Sequence, residues 1–209
     1  MIRVSALSRN QAGREAGSMK KVDVILFDGF TPLDAFGPVD VLGRVEGLDI
    51  RFVSLAGGIV TNEQNIRMET LPFNRIEAGG ILLVPGGFGT RRLCLDGDFL
   101  SSLREAADRS DFVLSVCTGS ALLAKAGLLD GRKATSNRRA FDWVVSCGKK
   151  TEWIRGARWV VDGKFYTSAG VSAGIDMALG FVRDLRGEAK AAEICAAMEY
   201  QWNAGGVYV

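Results

Sequence analysis

The stretch "FVLSVCTGSALLAKAGLL" (residues 112–129) decides how the chain is read. Four of its first five residues are apolar strand formers, as in a short buried strand. Cys117 and the small residues Thr118, Gly119 and Ser120 follow, and the apolar residues after them recur at helical spacing. Strand, knuckle and helix in that order put Cys117 on a sharp turn beside free backbone N–H groups and the positive end of a helix. That setting is expected to favour thiolate over thiol. The plainer reading is a buried cysteine that acts as a small apolar side chain. Gly119, which lets another backbone approach closely, favours the functional one.

The same pattern extends in both directions. "KVDVILFDGF" (21–30), "DIRFVSLAG" (49–57) and "GILLVPGGFGT" (80–90) read as strands, and "RKATS" (132–136) as a short one. "IVTNEQNIRMET" (59–70) alternates as a hairpin does, and "ARWVVDGKFYTSAG" (157–170) has two β-rich runs joined by Asp162-Gly163. Helices are expected over 31–45, interrupted at Pro38, and over 98–110, 138–146, 171–185 and 188–202, with Asn137 capping the third. Apolar strands separated by helices predict an α/β fold: one domain, a three-layer α/β/α sandwich around a mostly parallel sheet. The working crevice of such a sheet lies beyond the carboxyl ends of its strands. The loops after "VILFD", after "ILLVPGG" and at Cys117 all fall there.

Composition narrows the function. A chain of 209 residues, 47% hydrophobic, is long enough to bury its own core. A net charge of +2 argues for neither nucleic acid nor an anionic membrane as partner, and no apolar run is long enough to span a bilayer. The four cysteines, at 94, 117, 147 and 195, form no CxxC pair, and the chain has no histidine. Neither a zinc site nor a disulfide scaffold is expected, and a reducing cytoplasmic setting is. Residues 1–20 hold three arginines and little periodicity. They read as an upstream start or tag, a weak organellar presequence or a disordered tail, and they are set apart from the domain at 21–203. Residues 204–209 read as a C-terminal tail.

Other candidates gather around Cys117. Gly86 and Gly87 in "PGGFGT" end a buried strand, and with the N–H of Thr118 they would form an oxyanion hole. The plain alternative is a tight turn that needs positive φ. Asp28 and Asp34 both follow the first strand, and either is placed to manage protons for the cysteine. An ionised carboxylate would oppose a thiolate, whereas a protonated one would donate to it. A solvated loop aspartate is the bland reading for both. Cys94, Cys147, Cys195 and the four tryptophans are expected to pack, with Trp202 also open to a pocket or subunit role. "TSAGVSAGID" (167–176) reads as close helix–sheet packing or as the wall beside Cys117.

"VPGGFGT", "SVCTGSALLAKAGLLDGRKAT", "SAGVSAGIDMAL" and "EYQW", in that order, resemble the ThiJ/PfpI superfamily, whose fold is flavodoxin-like and shared with class I glutamine amidotransferases. The likeness runs from about Lys21 to about Asn203. Within the superfamily, "CTGS" and "LDAFGP" look most like isonitrile hydratases. The resemblance implies Cys117 as nucleophile and Asp34 as proton-handling carboxylate. It implies that Gly87 and Thr118 supply backbone N–H groups, that Val171 packs near the nucleophile, and that the protein is a homodimer acting on a small molecule without a cofactor. Many superfamily members carry a histidine where this chain has Asn137 in "ATSN", and amidase-type members carry a Cys-His pair where it has Cys117-Thr118. Peptidase chemistry needs a base that also protonates an amine leaving group, so it is not expected here.

Isocyanide hydration expels no amine and fits one cysteine and one carboxylate. Glyoxalase- or deglycase-like work on 2-oxoaldehydes ranks second. A redox or ligand sensor acting through Cys117 ranks third.

Overall fold

The computed structural model describes residues 19–209. The expected reading of residues 1–20 as a separate leader therefore falls almost wholly outside them. A nine-stranded sheet runs through the middle of the molecule. In chain order its strands are β1 (Lys20–Ile25), β2 (Leu48–Ser54), β3 (Gly58–Thr61), β4 (Arg67–Pro72), β5 (Ile81–Val84) and β6 (Phe112–Val116). A separate two-stranded ribbon pairs β7 (Lys133–Ala134) with β8 (Glu152–Trp153), and β9 (Trp159–Asp162), β10 (Phe165–Ser168) and β11 (Val207–Tyr208) complete the main sheet. The spatial order is β11-β9-β10-β6-β5-β1-β2-β4-β3. All central pairings are parallel, while β3–β4 and β9–β10 are the two antiparallel hairpins.

The sheet centre is apolar on both faces, as strands covered by helices on each side must be. Val22, Val24, Ile81, Leu82, Leu83, Val113 and Leu114 are all buried. Each contributes roughly 1.5–3 kcal/mol relative to exposure. The helices are α1 (Pro32–Leu42), α2 (Gly89–Leu93), α3 (Gly97–Arg109), α4 (Gly119–Lys125), α5 (Phe141–Cys147), α6 (Ala173–Arg186) and α7 (Glu188–Ala197). One group packs α1 and α7 against α6, and the other packs α2, α3 and α5 around α4. This is the single-domain three-layer sandwich the sequence predicts.

Three expectations change. Pro38 does not interrupt the first helix. Close packing holds it together: Gly37 sits so near Ile175 of α6 that a Cβ would lie 2.8 Å from that side chain, and Pro38 packs beside Gly174. The third helix begins at Phe141 rather than at 138, because the Asn137 side chain first closes a turn by accepting from the N–H groups of Arg139 and Ala140. The last six residues are not a simple tail, since β11 adds a parallel edge strand against β9 and the Tyr208 ring stacks edge-on to the buried Trp159.

The strand order sets the site. The chain moves from β1 outward to β2, then returns to β5 on the other side of β1. Loops leaving neighbouring strands diverge at such a switch point and leave a crevice. The carboxyl ends of β1, β5, β6 and β10 meet there, with Val84 opposite Ser115 and Ser168 opposite Val116. No helix among the described residues is long and apolar enough to cross a membrane.

Candidate active site

Cys117 follows β6 directly and has φ 57°, a left-handed conformation rare for a residue with a side chain. The strain is held from both sides. Its N–H donates to the carbonyls of Ser168 and Ala169, each at 3.2 Å. Its own carbonyl accepts from Ser136 Oγ at 2.8 Å and Ser120 Oγ at 3.1 Å. Sequence reasoning missed Ser136, whose role depends on a contact between segments far apart in the chain.

Two donors reach the sulfur. Asn137 Nδ2 lies 3.0 Å from Sγ, and the N–H of Thr118 also points to it. Gly170 makes room for the asparagine, because a Cβ there would fall 2.3 Å from Nδ2. Gly170→Ala is therefore expected to push the amide off the thiol. A lost hydrogen bond to a charging group corresponds to a 10- to 100-fold drop in kcat/KM, with the thermal melt largely kept. Steady-state rates beside a melting curve check this.

Asp34, in the first turn of α1, is fully buried. Its Oδ2 accepts from the N–H of Gly86 at 3.1 Å. The Cys117 thiol and the N–H of Val171 lie against the same carboxyl group, while Oδ1 has no well-aligned partner among the described residues. Asp28 is elsewhere, its Oδ1 accepting from the N–H of Thr61 at 2.9 Å. Of the two candidate carboxylates, only Asp34 meets the cysteine. Val171 does border the pair, through its backbone. It too has positive φ, 52°, for which the sequence carries no signal.

The electrostatics run against the expected thiolate. Burial first, and the Asp34 charge second, push the Cys117 thiol up to about 12. The Thr118 N–H and the Asn137 amide pull the other way and lose. Burial also lifts Asp34 from 3.8 to about 6, against the opposing pull of the thiol and the Gly86 and Val171 N–H groups. Between about 6 and about 12 the pair therefore holds one proton. The thiol carries it at rest, with Asp34 ionised beside it.

The oxyanion hole differs from expectation as well. The Gly86 N–H is used by Asp34, and the Gly87 N–H donates to Thr118 Oγ1 at 3.0 Å. Thr118 Oγ1 is further engaged by Thr90 Oγ1 at 3.2 Å, so its hydroxyl braces the glycine loop. Only the Thr118 N–H of the three expected donors faces the sulfur. The glycines serve close approach instead. A Cβ on Gly86 would lie 2.6 Å from Thr118 N and 2.8 Å from Asp34 Oδ2, and one on Gly119 would lie 2.2 Å from the Val84 carbonyl.

Asn137, whose amide touches the sulfur, also borders a cavity of ≈ 220 Å³ lined by Gly170 and Val171 and by three arginines, Arg138, Arg139 and Arg158. The arginines were not singled out in the sequence, where each reads as an ordinary solvated charge.

Comparison with known proteins places the chain in a family. Isonitrile hydratase of Pseudomonas putida is 32% identical over 181 residues, spanning 86% of this chain and 78% of the hydratase. A deglycase of Pyrococcus horikoshii is 31% identical over 128 residues, 60% of this chain and 75% of its own. The crystal structure of a ThiJ/PfpI family protein from Pseudomonas syringae superposes with a TM-score of 0.81 at 29% identity, over 98% of this chain and 85% of that one. The DJ-1/PfpI family profile matches residues 20–184, which include every strand end and loop that brings Asp34, Gly86, Cys117, Asn137 and Val171 together. The chain belongs to the DJ-1/PfpI family.

Proposed function

We propose that this protein is a cysteine-dependent hydratase of small isocyanides. The observation that carries the reading is the Cys117 thiol set against the carboxyl group of the fully buried Asp34 in a chain without histidine. The similarity to isonitrile hydratase over most of both chains supports it.

The terminal carbon of an isocyanide accepts a nucleophile and needs no leaving group. Cys117 sulfur forms a bond to that carbon as its proton passes to Asp34. Asp34 returns the proton to the same carbon, giving a thioimidate, R–N=CH–S–Cys117. Water then adds to the carbon, its proton passing by way of Asp34 to the nitrogen. Collapse of R–NH–CH(OH)–S–Cys117 breaks the C–S bond, expels the sulfur as thiolate and releases the N-substituted formamide. The hydroxyl proton restores the one-proton pair through Asp34, and the balance is one isocyanide plus one water. Asn137 Nδ2 and the Thr118 N–H, which face the sulfur, stabilise its charge as it leaves.

The pH dependence follows from the pair. Asp34 must be ionised to take the thiol proton, so kcat/KM rises with pH through about 6. It is expected to be about tenfold lower at pH 5 than at pH 8. No alkaline limb is expected below pH 9, because the thiol titrates near 12.

The test is turnover of an alkyl isocyanide by the purified protein under reducing conditions, followed as formamide. Methylglyoxal is assayed alongside, because similarity to the Pyrococcus deglycase supports glyoxalase- or deglycase-like activity as the second reading. Turnover of methylglyoxal alone transfers the site to that reading. Stoichiometric modification of Cys117 without turnover of either compound transfers it to a sensor. A cytoplasmic homodimer is part of the same proposal, and mass in solution reports the assembly.

A further inference from the structure

The arginine-lined cavity bears on which substrates this site takes. Arg138, Arg139 and Arg158 border it, together with Asn137, whose Nδ2 touches the Cys117 sulfur. The charges are unequally compensated. Arg158 is paired with the buried carboxylate of Asp176 and also reaches Ser172 Oγ at 3.4 Å. Among the described residues, Arg138 donates only to the Gly156 carbonyl, at 3.4 Å. Neither Arg138 nor Arg139 forms an ion pair among the described residues, and no acidic side chain borders the cavity. A chain with a net charge of only +2 thus gathers two guanidinium groups, uncompensated among the described residues, on a cavity that Asn137 joins to the Cys117 sulfur.

One residue fixes the spacing. The Asn137 amide nitrogen sits on the sulfur while its oxygen accepts from the N–H groups of Arg139 and Ala140. The arginine-bearing turn is therefore anchored to the thiol through a single side chain. A cavity of ≈ 220 Å³ is small beside pockets that hold drug-sized ligands. It admits a short substituent, and a planar guanidinium fork matches a carboxylate.

We infer that the substrate carries a carboxylate on a short substituent, seated by Arg138 and Arg139 while its electrophilic carbon meets Cys117. The inference names the substrate class for the hydratase site and rests on that reading for the electrophile, but not for the charge. Both side chains are exposed, so screening keeps the preference modest and makes it fall with salt.

Two experiments separate the claims. The first needs no turnover: Cys117 is alkylated with iodoacetate or iodoacetamide, and the rate at that cysteine is read by peptide mass spectrometry. Its sulfur displaces iodide from either reagent, and only the first is an anion. The rate ratio of iodoacetate to iodoacetamide is expected to fall fivefold or more in an Arg138→Gln, Arg139→Gln protein, and to be largely restored by lysine at both positions. An unchanged ratio overturns the inference. The second compares isocyanoacetate with its methyl ester, expecting at least a fivefold higher kcat/KM for the acid at low salt and a smaller gap at 0.5 M salt. Equal turnover of both overturns the carboxylate inference and leaves the hydratase standing. Turnover of neither, with the alkylation ratio still dependent on the arginines, overturns the hydratase and leaves the anion site standing.

Discussion

Cys117→Ala is expected to abolish isocyanide turnover, and Asp34→Asn to lower kcat/KM by about 10²–10⁴-fold, the range for loss of a positioned acid–base group. Asparagine keeps the shape of aspartate and retains an oxygen that accepts from the Gly86 N–H. It cannot take the thiol proton or return it to carbon. The variant also carries a signature that simple damage would not produce. The Asp34 charge is the second cause, after burial, that pushes the Cys117 thiol up. Removing it lowers the thiol's pKa, so alkylation of Cys117 at pH 8 should become faster while turnover becomes slower. The acid limb near pH 6 should also vanish. A variant slow in both measurements would point to a collapsed site and against the assigned role.

The same substitution should stabilise the fold. Asp34 is raised from 3.8 to about 6 on folding, so the folded protein binds its proton more tightly than the unfolded chain does. The stability gained by that proton is full below about pH 3.8 and lost as pH rises through about 6. Above it, the ionised buried carboxylate costs roughly 3 kcal/mol relative to a neutral group. Asparagine removes most of this cost, and a Tm higher by several degrees at pH 8 is expected. Stability given up at a working site is a common trade.

The sequence analysis placed Cys117 on a knuckle between strand and helix because the cause is local: an apolar strand, small residues that permit a sharp turn, and a helix within one run of chain. The hairpin at Asp162-Gly163 was legible for the same reason, being encoded by its own turn. The protonation state was not legible. Local geometry, with the N–H of Thr118 on the sulfur, predicts a thiolate. The outcome is set instead by burial and by a carboxylate from α1, the helix that follows β1, and β5 separates β1 from β6 in the sheet. The glycine loop shows the same limit. "PGG" predicts free N–H groups, yet Asp34 from α1 and Thr118 from the turn after β6 use both. Asn137 reads as a helix cap from its neighbours, and its oxygen does close the turn before α5. Its second task, donating to the sulfur, depends on Gly170 in the loop after β10. The arginine cavity is assembled from three segments, 137–139, 158 and 169–171, that only the fold makes neighbours.

Asp176→Ala should cost about 3 kcal/mol, the lower end of the range for breaking a buried ion pair from one side. Asp176 is fully buried, and one oxygen is held by Arg158. The other accepts from Tyr200 Oη at 3.1 Å and from the N–H of Asn203 at 2.9 Å, while its carbonyl accepts from Trp202 Nε1 at 3.0 Å. The "EYQWN" segment is thus stapled to α6 by one residue, which also holds Trp202 in place. The lower end applies because the Arg158 side chain is 28% exposed and finds water when its partner is lost. At 2–4 °C per kcal/mol for a domain of this size, Tm should fall by about 6–12 °C. Asp176→Asn keeps acceptors for Tyr200 and Asn203 and should lose less. The alanine protein also frees Arg158 beside the cavity, adding an uncompensated cation next to Arg138 and Arg139. Its alkylation by iodoacetate should therefore gain on iodoacetamide even as the fold weakens. Thermal melts of both variants and the alkylation ratio at 20 °C check the two halves independently. An unchanged Tm would mean that this buried carboxylate does not hold the C-terminal segment.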